Sequence, residues 1–318
     1  MKSTYLLYQL RKDLTSLGWR SVVISQHAKL SYTSHLMVVQ TRDGISEVPI
    51  EDIQLLLVST NQAVITTALL SELAQNNTKV IFVDKKLQPC CEVSNRYPNN
   101  RSVDLLYRQF NWSSDRKAIL WTKIVYQKIV NQIKVLQVYE NDVAGLIDEL
   151  DQIELNDLSN REAVVARKYF PLLFDNKKFS RRQFSAVNDA LDYGYSILLS
   201  MVNRAIVEKG YLTYLGIHHQ SNENSFNLGS DLMEPFRPVV DYWVANQNFK
   251  ELTPEVKYGL VDALNTEISY CGESMLFRNA INKYVNDCLK YLDGEIGHLD
   301  LKMEFKNEVP NNALINHV

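Results

Sequence analysis

The chain has 318 residues, 46% apolar and 22% charged, the balance of an ordinary globular protein with room for two domains. A net charge of −3 argues against nucleic-acid affinity spread over the whole surface, and no apolar run approaches the roughly 18 residues of a membrane span. The charge is uneven, however: residues 1–110 hold 12 Lys/Arg against 9 Asp/Glu and the remainder 22 against 28, so any DNA contact must rest on local patches.

Arg11, Lys12 and Asp13 interrupt the apolar stretch that a secretory leader would need. Ser21–Ser25 and Leu36–Thr41 are rich in β-branched and apolar residues and read as strands. Asp43-Gly44 predicts a two-residue hairpin turn of the I′ kind, and Pro49 marks the following run as an edge strand. A strand is predicted at Ile53–Val58, a helix over 63–75 and a strand at Lys79–Asp84. Cys90, Cys91, Cys271 and Cys288 form no CxxC pair, and four scattered thiols in a chain of this size predict reduced cysteines and a cytosolic location. The polar stretch Tyr97–Arg101 carries turn chemistry and reads as a domain boundary.

Beyond it the pattern turns helical. Ile119, Leu120, Ile124, Ile129, Ile133 and Leu136 recur on one side of a predicted helix over 115–140. Further helices are predicted over 186–208, 231–246, 255–269 and 273–292, with Gly210 at a C-terminal cap, and the tail after Leu301 reads as loosely held. The expected fold class is therefore α+β: a small β-rich domain (18–100), a larger all-helical domain (101–300) and a C-terminal tail (301–318).

The stretch Gly216–Pro238 concentrates the chemistry: His218, His219, Asp231, Glu234 and Arg237. On a helix Asp231 and Glu234 would share a face, and a loop histidine could meet them, a donor set suited to a divalent cation. Each residue also has an ordinary role. Acidic residues favour first turns, histidines often merely pack, and Pro235 and Pro238 place Glu234 at a helix start or a kink. Glu162 follows Ser159 at the spacing of a capping box. Lys177, Lys178, Arg181 and Arg182, grouped around Phe179, suit either a solvated loop or phosphate contacts. Among 17 tyrosines, with Tyr193 and Tyr195 beside Asp192, most will pack, though some could stack on unpaired bases.

Taken together, Asn160-Arg-Glu162-Ala with Ala166–Phe170, Asn188–Tyr195, Leu215-Gly-Ile-His-His219 and Asp231-Leu-Met-Glu-Pro-Phe-Arg-Pro238 resemble the CRISPR-associated protein one family, the integrase of CRISPR adaptation. The resemblance spans about Trp19 to Glu295, and the octet ending at Pro238 is its most specific piece. The opening Trp19–Leu30 looks most like the type II branch, subtype II-A, and against that branch residues 1–17 read as an N-terminal extension. The resemblance implies a metal-binding and catalytic trio of Glu162, His219 and Glu234. His219 is chosen over His218 because it closes the Leu-Gly-x-x-His segment. Asp231 and Asn188 would support that trio from behind, and Lys177, Lys178, Arg181 and Arg182 would contact DNA. Ala163 departs from the glycine common at that point in the family.

The resemblance further implies Mg²⁺ or Mn²⁺ as cofactor, with the histidine favouring Mn²⁺. It implies attack of a DNA 3′-hydroxyl on a phosphodiester at a repeat end, and the same site run backwards or with water gives disintegration or nuclease activity. No GxxxxGK[ST] loop is present, in keeping with chemistry that needs no nucleoside triphosphate. The implied partners are double-stranded DNA, a second copy of the chain joined through the β domain, the small CRISPR-associated protein two in a heterohexamer, and other type II adaptation proteins; no membrane is implied. A stand-alone nuclease on branched DNA and a non-catalytic DNA-binding scaffold are the alternatives.

Overall fold

In the computed structural model, residues 20–85, 89–93, 103–264 and 266–305 are described. Residues 1–17, the boundary stretch Tyr97–Arg101 and the tail beyond Phe305 lie outside them. The chain divides into two compact units, Met1–Arg96 and Tyr97–Val318.

The described residues of the first unit form two four-stranded sheets. One contains β1 (Arg20–Ile24), β5 (Ile53–Val58), β7 (Lys79–Val83) and β8 (Pro89–Val93) in that order, parallel except for the last pair. Central β5 is buried at every described position, as a strand with neighbours on both sides and cover on both faces requires. The other sheet runs β4 (Gly44–Pro49), β3 (Leu36–Thr41), β2 (Lys29–Thr33), β6 (Val64–Ile65). Pro49 thus sits on an edge strand, as its missing N–H demands. Helix α1 (Thr67–Gln75), capped by the Thr66 hydroxyl, lays Leu69 and Leu73 into a core with Leu30, Met37, Leu56 and Val80. The I′ turn falls elsewhere than expected. Ser34 and His35, between β2 and β3, both have positive φ, whereas β3 and β4 are joined through Arg42-Asp43, neither of which does.

The second unit is built on α2 (Val103–Phe110), α3 (Ser114–Val138), α4 (Ala144–Leu150), α5 (Arg161–Leu173), α6 (Ala186–Glu208), α7 (Asn227–Leu232), α8 (Arg237–Ala245), α9 (Pro254–Ala263) and α10 (Phe277–Leu292). It is not all-helical. Strands β9 (Glu267–Tyr270), β10 (Glu273–Leu276) and β11 (Met303–Phe305) form an antiparallel sheet with β9 in the middle. The helices expected over 255–269 and 273–292 give way there because Cys271 and Gly272 both take positive φ and turn a hairpin. Ile268 and Tyr270, an alternating β-branched and aromatic pair, are buried on one side of it. The start of the supposed loose tail is packed as well: Leu301 and Met303 are buried, the latter within β11.

The helix expected over 231–246 is broken in two. Helix α7 ends at Leu232, Glu234–Phe236 makes a single 3-10 turn, and α8 restarts at Arg237 with Pro238 in its first turn. The break is fastened to α3, where fully buried Asn131 donates to the Pro235 carbonyl (2.8 Å) and accepts from Gln127 (2.9 Å). No described helix is long and apolar enough to cross a membrane.

Asn131→Ala would leave the buried Pro235 carbonyl without its donor, while the Gln127 amide keeps the Met303 carbonyl (3.3 Å). We expect a loss of about 1–3 kcal/mol in urea unfolding at unchanged m-value. Wild-type stability in that variant would show that the break is held by something else.

Candidate metal centre

The fold gathers the candidate residues from three places. Glu162 lies in the first turn of α5, which begins after Asn156, Asp157 and Asn160, all in the left-handed region that Asn and Asp tolerate best. The cap here is not the Ser159–Glu162 box. Asn160 accepts from the Ala163 N–H (3.3 Å), and buried Asp157 accepts from the N–H groups of Arg161 (2.7 Å) and Glu162 (3.1 Å). The Glu162 carboxylate is therefore released from capping and reaches α3. There its Oε1 lies 2.5 Å from Lys128 Nζ, and that same nitrogen lies 2.5 Å from Glu234 Oε2. Two carboxylates from distant parts of the chain thus converge on one cation.

Little water reaches this junction, since the side chains of Lys128 and Glu234 are 10% and 4% exposed. Burial pulls the Lys128 ammonium toward neutrality, but Glu162 and Glu234 outweigh it and hold the amine above its usual range. Burial likewise opposes ionisation of Glu162, and Lys128, with help from Arg237, drives its carboxyl below the usual value. Arg237, three residues after Glu234, places Nε 2.9 Å from Glu234 Oε1. Its guanidinium lies 4.6 Å over the Tyr195 ring, whose hydroxyl donates to buried Asp241. Burial pushes Asp241 up to about 6 against the pull of that hydroxyl.

His219, near enough to feel the charge of both carboxylates, lies on a loop ordered by one buried acid. Asp231, fully buried in α7, accepts from the N–H groups of Ile217 (2.7 Å), His218 (3.0 Å) and His219 (3.1 Å), and lies 2.5 Å from His219 Nδ1. Gly216 is required here, because a Cβ would fall 2.2 Å from the His219 carbonyl oxygen and 2.8 Å from Asp231 Oδ2. With Nδ1 engaged by a carboxylate, the imidazole keeps Nε2 as its free donor, the usual arrangement for a metal-binding histidine. The Asp231 hydrogen bond raises the His219 pKa above the ordinary 6.5, burial opposes it, and the charges of Glu234 and Glu162 add to the rise. His218 is spent differently: its ring stacks on fully buried Trp121 at 4.2 Å and 5°. That separates the two histidines on geometry alone.

Among the described residues, no three His, Cys, Asp or Glu side chains close round a point as tightly as a bound metal needs. The donor types nevertheless fit a divalent ion. Two carboxylates already share a cation, the Lys128 ammonium, and an oriented imidazole senses both of them electrostatically.

A family model described as CRISPR associated protein Cas1 matches residues 21–255. The CRISPR-associated endonuclease Cas1 of Neisseria meningitidis is 35% identical over 277 residues, covering 85% of this chain and 91% of that one. The chain belongs to the Cas1 family. A second relative, a CRISPR-associated endonuclease Cas1 of Pyrobaculum aerophilum, is 25% identical over 70% of this chain and 80% of its own length. Among solved structures, a casposase bound to integration product superposes with TM-score 0.74 at 19% identity, covering 88% of this chain and 92% of that one. A Cas1 protein from Thermotoga maritima gives 0.73 at 18%, covering 86% and 97%. At such identities these two likenesses speak for the fold alone.

The remaining expected residues divide. Asn188, buried in α6, donates to the carbonyls of Ser180 (2.9 Å) and Gln183 (2.7 Å) and accepts from Arg181 (2.5 Å), so it braces the loop before α6. Arg181 is also bound to Asp192 and lies near the Phe170 and Tyr195 rings. Lys177, Lys178 and Arg182 are exposed. Lys128, Trp121, Asp157 and Asp241 escaped sequence reasoning. Lys128 had a signal: it falls four residues after Ile124 on the buried stripe of α3, where a lysine is out of place.

In the metal-free protein we expect the His219 imidazole to titrate above 6.5 by NMR, and Asp231→Asn to bring it down. Because the folded value is raised, the stability that the His219–Asp231 pair gives is complete below 6.5 and fades as pH climbs through the folded pKa. A titration identical in wild type and Asp231→Asn would contradict this arrangement. Gly216→Ala, by forcing the loop off Asp231, should lower the His219 value in the same direction.

Proposed function

We propose that this protein is a metal-dependent DNA integrase and endonuclease that inserts short DNA fragments at CRISPR repeat ends. The observation that supports the reading is the convergence of Glu162 and Glu234 on a single cation, within electrostatic reach of an imidazole oriented by Asp231. Glu162, Glu234 and the Nε2 of His219 would hold Mg²⁺ or Mn²⁺, which supplies Lewis-acid stabilisation of charge building on a phosphate. The chain's own groups do the rest. Asp231 fixes the imidazole and the loop that carries it. Arg237, stacked on Tyr195, holds one oxygen of Glu234 and adds positive charge where phosphate oxygens would gather. Exposed Lys177, Lys178 and Arg182 suit contacts to the backbone of the incoming fragment.

The reaction read this way is a transesterification, in which the fragment's 3′-hydroxyl attacks a phosphodiester and the displaced strand leaves with a new 3′-hydroxyl. Joining two ends needs two such sites at a fixed distance. We therefore propose a homodimer formed through the β-rich unit, bridged by a dimer of the small Cas2 protein. In support, a chain of a Cas6-RT-Cas1–Cas2 complex shares the fold, with TM-score 0.70 at 16% identity over 88% of this chain and 35% of that one. The Trp19–Leu30 opening supports placement in the type II branch, subtype II-A.

Full chain, its Cas2 partner, a short DNA fragment and a supercoiled repeat-bearing plasmid, with and without Mn²⁺, make the test. Ion-dependent strand joining is expected in wild type, with at least a ~100-fold loss in Glu162→Ala and His219→Ala while both variants keep wild-type circular dichroism. Cutting without joining would favour a stand-alone nuclease, and binding without chemistry would favour a scaffold. Full joining by either variant would remove that residue from the site.

A further inference from the structure

Lys128 is an unusual tenant for the point where two carboxylates meet. An ammonium taken out of water costs several kcal/mol unless opposite charge lies against it, and here it has two carboxylates at 2.5 Å. It also occupies what the proposed ion would need. Glu234 has both oxygens engaged, Oε2 by Lys128 and Oε1 by Arg237, and Glu162 gives Oε1 to the same ammonium. Glu162 keeps Oε2 for a ligand, so an ion drawing on both carboxylates meets its competition from the resident cations at Glu234.

The two residents differ in how easily they leave. Arg237 is bound to Glu234 from only three residues along the chain, and its planar guanidinium is stacked on Tyr195. Lys128 reaches the carboxylates at the end of a flexible four-carbon stem from α3, as a compact point charge with no described stacking partner. It is the one that can swing away.

We propose that the Lys128 ammonium is a built-in competitor of the catalytic ion, tying Glu162 to Glu234 in the metal-free protein and giving up both carboxylates when a divalent cation binds. This deepens the metal-dependent reading above and rests on it. Without any cation, Glu162 and Glu234 would repel one another in a nearly dry site; the lysine prevents that and keeps the ligands gathered. The apparent affinity for the ion is then its intrinsic affinity reduced by the work of expelling the lysine, so metal loading is an exchange, harder than filling an open site. Lys128 is thus a positioning residue whose removal should cut both ways: the metal-free protein loosens, and the ion binds better.

The test is calorimetric titration of Mn²⁺ into the full chain, wild type against Lys128→Gln and Lys128→Met, with melting curves of the metal-free and Mn²⁺-loaded forms. We expect roughly tenfold tighter binding in the variants, a lower melting temperature without metal and a larger rise on adding it. Equal or weaker Mn²⁺ binding in the variants, with wild type binding normally, overturns the competitor role and leaves the metal centre standing. No Mn²⁺ binding in any form overturns both. Should the variants fail to fold, acylation of amines in the unaltered protein, mapped by mass spectrometry, gives the answer. Saturating Mn²⁺ should raise labelling of Lys128 several-fold while exposed Lys177 stays constant, and unchanged labelling of Lys128 with the ion bound overturns the proposal.

Discussion

Two carboxylates placed close together where water is scarce repel each other strongly, and the second unit is organised around answering that repulsion with positive charge. Lys128 and Arg237 together engage both oxygens of Glu234 and one of Glu162. For those four side chains to meet, α3 must run beside α5, and the chain must break between α7 and α8 so that Glu234 faces inward. Pro235 and Pro238 make that break, and Asn131 pins it to α3. The prolines would break the helix in any case; the charges draw Glu234 of that break onto Lys128.

Asp231 performs a second task of the same kind on a smaller scale. A buried carboxylate must find donors, and it takes them from three successive backbone N–H groups and one imidazole. The loop carrying His219 is thereby wrapped around an acid that belongs to the same short helix as the approach to Glu234. The Trp121–His218 stack holds the other side of that loop. Histidine and carboxylate are coupled through a rigid frame, which is what a metal ligand set needs if its geometry is to survive substrate binding.

Much of this was legible from the residues, for identifiable reasons. Strands such as Ile53–Val58 and long helices such as α3 and α6 announce themselves by period, and the kink at Glu234 follows from two prolines. The small sheet of the second unit was not legible. Its strands are three or four residues long, and Glu273–Leu276 runs straight into a strongly amphipathic helix whose pattern swallows it. Glu162 was obscured by a plausible capping box, because only the structure shows Asn160 and Asp157 doing the capping. The bonds by which Asn188 and Arg181 brace the loop between α5 and α6 were not legible either, because their partners are backbone carbonyls and a side chain that only the fold brings together.

For this chain to join DNA by metal catalysis, Glu162, His219 and Glu234 must close around one divalent ion. Anomalous diffraction from crystals of the full chain soaked in Mn²⁺ tests it most directly. The expected result is a single strong peak in ligand contact with both carboxylates and with Nε2 of His219, and with Lys128 moved aside. A peak elsewhere, or an ion at this place that leaves the imidazole of His219 uncoordinated, would contradict it.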